Sequence, residues 1–409
     1  MRLQLRPFAR PLLVVTALAA GPARAAENPT QASLRLTYFG EPSNDDAPVR
    51  VIHPQVDVSA PVGGGVGVAA GWEADAVSGA TPKVFGPHTG VDAVTAATKF
   101  SDFRQLVHGG LSYDRADGGI SASYAYGWEH DYRSHSLSAT THDDLYDHNF
   151  TLALAYSHNW DSVCDANNDA APGLLELQAL TSSQHCFTSS PDVVTRHLRI
   201  DAVEPSLSWT MTPRLVVQGG GTIMILDGFQ SNPYREVKIG PEGAVPQEHE
   251  PTYRQRYAVF ARAAYAYPQW RASAQVMGRL YQDSWAVQAA TGDLLVNKYL
   301  GQSMLLTLRG RYHIQGGASF YRNGQEYVTL GPPGQYWTGD RELSPMSNTL
   351  VGGRMAFLRR PQQERSSWFV EMEADIKYEL LMYHLESVNA PNADRPYAHI
   401  LQGAFSVRF

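Results

Sequence analysis

Ser367 to Tyr383 reads "SWFVEMEADIKYELLMY", and its alternation decides the fold. Trp368, Val370, Met372, Ala374, Ile376, Tyr378, Leu380 and Met382 share one parity, while Glu371, Glu373, Asp375, Lys377 and Glu379 share the other. Successive side chains of a strand point to opposite faces, so the segment is a strand with one apolar and one charged face. A soluble sheet turns the apolar face inward and a membrane barrel turns it outward, and alternation alone does not choose between them.

Two further segments carry the same pattern. "YRQRYAVFARAAYAY" sets Tyr253, Tyr257, Val259, Ala261, Tyr265 and Tyr267 against Arg254, Arg256 and Arg262. "MLLTLRGRYHIQ" sets Met304, Leu306, Leu308, Tyr312 and Ile314 against Thr307, Arg309, Arg311, His313 and Gln315. Tyrosines near the strand ends fit the aromatic girdles of a bilayer barrel.

The ends of the chain favour the membrane. Arg2, Arg6 and Arg10 precede an apolar run from Leu12 to Ala20, and Ala23-Arg24-Ala25 has the small-x-small form of a cleavage site. Residues 1–25 therefore read as a signal peptide and 26–409 as the mature protein. Cleavage near Ala25 removes four arginines and no acid, taking the formal charge from −7 to −11 and arguing against a nucleic-acid partner. No mature apolar stretch approaches the roughly 20 residues of a membrane helix. At the other end, "HILQGAFSVRF" places Phe405, Val407 and Phe409 on one face of a last strand. That ending resembles the signal by which the barrel-assembly machinery recognises Gram-negative outer-membrane proteins.

Turn signals divide the mature chain into strands near 31–39, 50–59, 64–75, 101–114, 119–129, 134–142, 147–160, 193–211, 214–227, 253–267, 269–282, 285–299, 302–321, 346–358, 367–383 and 395–409. The expectation is an all-β, transmembrane, antiparallel up-and-down barrel of about 16 strands, a single domain. An even count brings both termini to the periplasmic side and sends the long loops near 76–100, 161–192, 228–252 and 322–345 outside. Segments 214–227 and 285–299 alternate poorly, so the count is open by two.

"ADAVSGATP" at Ala74–Pro82, "KFSDFR" at Lys99–Arg104, "EHDYRSHSLS" at Glu129–Ser138 and "YQDSW" at Tyr281–Trp285 resemble a proteobacterial family, domain of unknown function 3570. The likeness runs over nearly the whole mature chain. It implies an outer-membrane barrel and brings no catalytic residue or cofactor with it. Gln282 departs from the family's more frequent Arg, and the cysteine-bearing stretch falls outside the shared pattern.

Cys164 and Cys186, the only cysteines, lie in one long exported segment and are expected to pair. A metal site with His185 and a redox pair are the alternatives, but neither CxxC nor a zinc-type spacing is present. The pore-lining candidates are Arg254, Arg256, Arg262, Arg309, Arg311, His313, Glu371, Glu373, Asp375, Lys377 and Glu379. Arg271 and Arg279 join the same cationic set, and the acids two strands later could set a field across the lumen. The other reading of these charges is a salt-bridge network that closes the lumen. "EHDYRSH" and "THDDLYDHN" offer metal-type ligands, but both fall at hairpin turns, where such residues commonly hold the backbone. No metal, cofactor or catalytic residue is expected, since GxSxG, HExxH and nucleotide-binding fingerprints are absent.

The functional expectation is a pore for small polar solutes or the membrane part of an export system, surrounded by outer-membrane lipid. A barrel-embedded enzyme and a structural barrel with a plugged lumen are the alternatives. Phe409→Ala is expected to lower the assembled protein in the outer-membrane fraction several-fold, and assembly at the wild-type level would remove the role assigned to the last strand.

Overall fold

A computed structural model of the chain describes residues 29–42, 49–79, 100–166, 186–187, 189–191, 193–233, 235, 237–240, 246–360, 369–385 and 397–409. The signal peptide expected at residues 1–25 lies outside these residues. Sixteen strands follow in chain order: β1 (Gln31–Glu41), β2 (Val49–Gly63), β3 (Val66–Gly79), β4 (Phe100–Arg115), β5 (Gly118–Trp128), β6 (Tyr132–Leu145), β7 (Phe150–Ala166) and β8 (Val193–Thr212). The second half comprises β9 (Leu215–Gly228), β10 (Tyr253–Tyr267), β11 (Ala272–Asp283), β12 (Gln288–Leu300), β13 (Met304–Gln315), β14 (Met346–Arg359), β15 (Glu371–Leu385) and β16 (Tyr397–Arg408). Each pairs antiparallel with its sequence neighbours, and β1 closes on β16 from Gln31↔Arg408 to Gly40↔His399. No edge strand remains, so no ladder group faces hydrocarbon unpaired.

The side chains are arranged inside out. Leu34, Leu36, Val276, Leu308, Phe357 and Ile376 project from the outer wall with about half of their surface uncovered. The intervening positions face the lumen and carry arginine, aspartate, glutamate, histidine and serine. Such an exterior is stable only against lipid, and the fold is therefore a transmembrane barrel. Aromatic pairs mark its rims. Phe150 stacks on Trp209 and Tyr267 on Trp270 at the end that carries the termini. Tyr126 stacks on Trp128 at the far mouth.

The two weakly alternating segments are both strands, because their ladders are made by the backbone. In β9, Gly219, Gly220 and Gly221 pair with β10 although they bring no side chains to the pattern. β12 starts at Gln288 rather than 285 because the Asp283 carboxylate accepts the N–H groups of Trp285 and Val287, both at 3.0 Å, and closes the turn before it. β13 stops at Gln315, six residues short of the sequence expectation, where Gly316 and Gly317 lead the chain off the wall. Arg271 also leaves the wall. It occupies a left-handed position, φ 49°, in the turn after Pro268–Trp270, with its guanidinium over Tyr299.

"THDDLYDHN" ends as a tight turn in which Tyr146, Asp147 and His148 all have positive φ. Thr151 donates to Asp144 at 2.5 Å, and His148 lies 3.2 Å from the same carboxylate. The ionisable residues thus hold strained backbone in place.

Leu308→Arg, on the lipid side of β13, is expected to destabilise the barrel by about 2–4 kcal/mol, whereas Thr307→Arg on the lumen side is near neutral. Denaturant unfolding in lipid vesicles measures both, and equal costs would contradict the assignment of faces.

Candidate functional site

The lumen wall gathers all of the pore-lining candidates on one face, and the structure sorts them into compensated and uncompensated charges. On β13 to β15, Arg309 reaches Asp293 at 2.6 Å and Glu379 at 3.3 Å. Arg354 bridges Glu373 and Asp375, and Lys377 lies 3.2 Å from Glu379. Glu371 meets Arg408 of β16 at 3.5 Å near the terminal rim. The β15 acids are therefore matched by neighbouring cations, as burial of charge requires, and they do not form the pole expected to oppose the arginines.

The β10–β13 sector is different. Arg254, Arg256, Arg262, Arg279, Arg309 and Arg311 face the lumen there against only two acids, Asp283 and Asp293. Asp283 is fully engaged. Its Oδ2 accepts from Arg254 and from the Tyr281 hydroxyl at 2.8 Å, and its Oδ1 holds the Trp285 and Val287 amides. Trp285 completes this hub, lying under Arg254 at 4.1 Å and donating to the Tyr253 carbonyl at 3.0 Å. Arg256 is the direct cross-strand partner of Asp283, yet among the described residues its side chain makes no hydrogen bond or ion pair. The same holds for Arg279. Arg262 donates to Gln218 of β9.

In the ring of sixteen, β3 lies diametrically opposite β11. Here His53 meets Asp75 at 2.7 Å and Glu73 at 3.9 Å, and His108 meets Asp57 at 3.2 Å. His108 crosses over Gly71 to reach Asp57; a Cβ on Gly71 would come within 2.5 Å of that carboxylate and closer still to the imidazole. This acidic and histidine-bearing wall was missed in the sequence reading. Its signal was present as His53, Gln55 and Asp57, then Glu73 and Asp75, at every second position of two neighbouring strands.

At the far mouth the loop 316–345 turns inward and meets the described residues of the loop 229–252. Arg341 makes a bidentate bridge to Glu41 at the end of β1, 2.5 and 3.1 Å, and both side chains are buried. The Tyr383 ring lies 4.8 Å from the same guanidinium. Beneath the loop, Met346 packs with Leu385, and Trp285, Val287, Ala318, Phe320 and Leu343 form a second apolar cluster. A third joins the two loops through Val237, Ile239, Tyr327 and Trp337.

A buried polar network fastens the same two loops. Arg235 holds Glu248 at 2.9 Å and Asp340 at 3.2 Å. The single Thr338 hydroxyl lies 3.0 Å from Glu248 and 2.9 Å from Glu250, so one carboxyl must supply a hydrogen for both contacts to be bonds. Burial, reinforced by Glu248 and Asp340, raises the Glu250 carboxyl well above the ordinary carboxylate range. Burial pulls the Arg235 guanidinium down, and Asp340, Glu248 and Glu250 more than restore it. Burial lowers His249, which stacks on Tyr336.

In "EHDYRSH", ligand atoms of Glu129, His130 and Asp131 lie within 4.8 Å of one another. The backbone around them is tied as a hairpin: the Glu129 amide donates to Tyr132 and the Cys164 amide to Asp131, both at 2.8 Å. Cys164 is bonded to Cys186, with a Cα separation of 5.5 Å. Outside the barrel, the same turn borders a groove of about 480 Å³ lined by Val107, Tyr126, Trp128, Glu129 and Arg133.

The family model described as "Protein of unknown function (DUF3570)" matches residues 9–352. No curated protein matches the chain. Among solved structures it is similar to a bacterial polysaccharide outer membrane secretin, 10% identical over 94% of this chain and 99% of that one, with a TM-score of 0.49. It is also similar to the ferric-catecholate import receptor Fiu from E. coli K12, 9% identical over 95% and 82%, TM-score 0.40. A third likeness is to the toluene transporter TodX from Pseudomonas putida, 10% identical over 96% and 92%, TM-score 0.38.

The mouth network has a definite pH dependence. The unfolded loop releases the Glu250 proton at the ordinary carboxyl pKa of about 4.3, whereas the folded loop retains it to higher pH. Stability from this group is therefore complete below that value and is lost as pH rises through the raised one. Limited proteolysis of the 229–252 loop is expected to accelerate across this window, and Glu250→Gln, which keeps a donor toward Thr338, is expected to flatten most of the change.

Proposed function

We propose an outer-membrane pore for small polar solutes, favouring anions, as the role of this chain, which belongs to the DUF3570 family of proteins of unknown function. The observation that carries this reading is the arginine sector of β10 to β13, where six guanidinium groups face two carboxylates and Arg256 and Arg279 have no side-chain partner among the described residues. A sixteen-stranded barrel is wide enough to enclose an aqueous path. Uncompensated cations along one side of such a path raise the local concentration of anions, while the Asp57, Glu73 and Asp75 wall opposite orients a dipolar solute as it passes.

In this reading the signal peptide directs export, the last strand is presented to the barrel-assembly machinery, both termini stand in the periplasm and the capped mouth faces outward. The bound partner of the exterior is outer-membrane lipid. No catalytic step is assigned to the lumen.

The buried Arg341–Glu41 bridge favours a second reading, a barrel held shut by the 316–345 loop. Planar-bilayer recordings separate the two. Wild-type protein is expected to conduct with a reversal potential on the anion side, and Arg256→Glu with Arg279→Glu to move it toward cations. Conductance that appears only in Glu41→Gln with Arg341→Leu would establish the closed barrel, and silence from every folded variant would overturn the pore altogether.

A further inference from the structure

We infer that the upper lumen holds a specific binding site for a tetrahedral oxyanion, a phosphate group above all, built on Arg256, Arg279 and Arg311 around Tyr281. The site rests on the proposed pore only for its access route.

Its first support is the fate of Asp283. An arginine facing a carboxylate across an antiparallel pair ordinarily forms an ion pair with it. Here that carboxylate already holds Arg254, a tyrosine hydroxyl and two backbone amides, so Arg256 is left with a guanidinium fork and no acceptor. The second support is position. Tyr281 lies within Coulombic range of both Arg256 and Arg279, and Arg279 within range of Arg311. The register places Arg279, Thr291 and His313 on one rung of β11, β12 and β13, with Arg311 one inward position along β13. Strands about 4.8 Å apart put the Arg279 and His313 backbones about 10 Å from one another, a span that two long side chains can close around a small ion.

The third support concerns ligand charge. The one acid of the mouth loop within Coulombic range of Arg256 is Glu342, and among the described residues it makes no ion pair. Guanidinium forks match the paired oxygens of phosphate, and two or more of them suit a doubly charged oxyanion better than chloride. His313, hydrogen-bonded to Thr291 at 2.8 Å, supplies a further polar group beside the site.

The test is phosphate binding to folded protein in detergent, followed by ³¹P line broadening or calorimetry at constant ionic strength, a readout that needs no conduction. Wild type is expected to bind inorganic phosphate in preference to acetate. Arg256→Ser and Arg279→Ser are each expected to weaken binding about tenfold, the equivalent of one charge-assisted hydrogen bond. Glu342→Gln is expected to tighten it two- to threefold, and Arg214→Ser, at an exposed turn, to leave it unchanged. The heat-dependent gel shift verifies that each variant is folded. If a serine variant fails to fold, its lysine counterpart is read instead, since it keeps the charge and loses the fork. Absence of phosphate binding, or equal binding by wild type and the folded double variant, would overturn the site. Binding without conductance would retain the site and overturn the pore, and conductance without binding would do the reverse.

Discussion

Hydrocarbon offers no partner to a backbone N–H or C=O, and everything else in this molecule follows from meeting that constraint with a closed ladder. Once β1 has joined β16, each strand has a lipid side and a lumen side and no third option. The apolar residues must go out, which leaves the charged ones facing the lumen. Inside, the cost of desolvating a charge is offset by opposite charges on adjacent strands or by contact with water.

The two halves of the lumen meet this demand differently. From β13 to β16 each acid lies beside a cation, on a neighbouring strand for Glu371, Glu373 and Asp375 and on its own strand and β13 for Glu379, and the wall is close to neutral. On β10 and β11 the acid that would neutralise Arg256 has been recruited to hold the turn at Trp285. The "YQDSW" segment is therefore a folding device with an electrostatic by-product: stabilising that hairpin leaves an electropositive wall below it. The whole chain carries a formal charge of −7, opposite in sign to this sector, because net charge sums loops, rims and lumen without regard to where each residue points.

Much of the architecture was legible beforehand. Turn signals and alternation of period two located the strands, with β9 and β12 the two that alternation alone left open, and the even count placed both ends of the wall together. The same parity named the inward arginines, His313 and the β15 acids. What escaped was pairing. Arg354 lies on β14, a strand whose "TLVGGRMAF" carries a single charge and too many glycines to read as a charged face, yet it neutralises both Glu373 and Asp375. His53 and His108 drew no notice because the acids they meet lie on other strands, Asp75 on the adjacent β3 for His53 and Asp57 two strands away on β2 for His108, and only register brings them together.

The sequence by itself determined the class of fold, the faces of the strands and the residues available to the lumen, since all three depend on local periodicity and on the apolar medium outside. The tertiary structure alone decided which charges remain active. Glu41 and Arg341 are 300 residues apart, and nothing local predicts that an inward-folding loop will bury one against the other. Asp283 lies opposite Arg256 but is consumed by the turn beyond it. Electrostatic energy depends on separation and on burial, and in a closed barrel both are set by which strands become neighbours and by how the loops lie across the mouth.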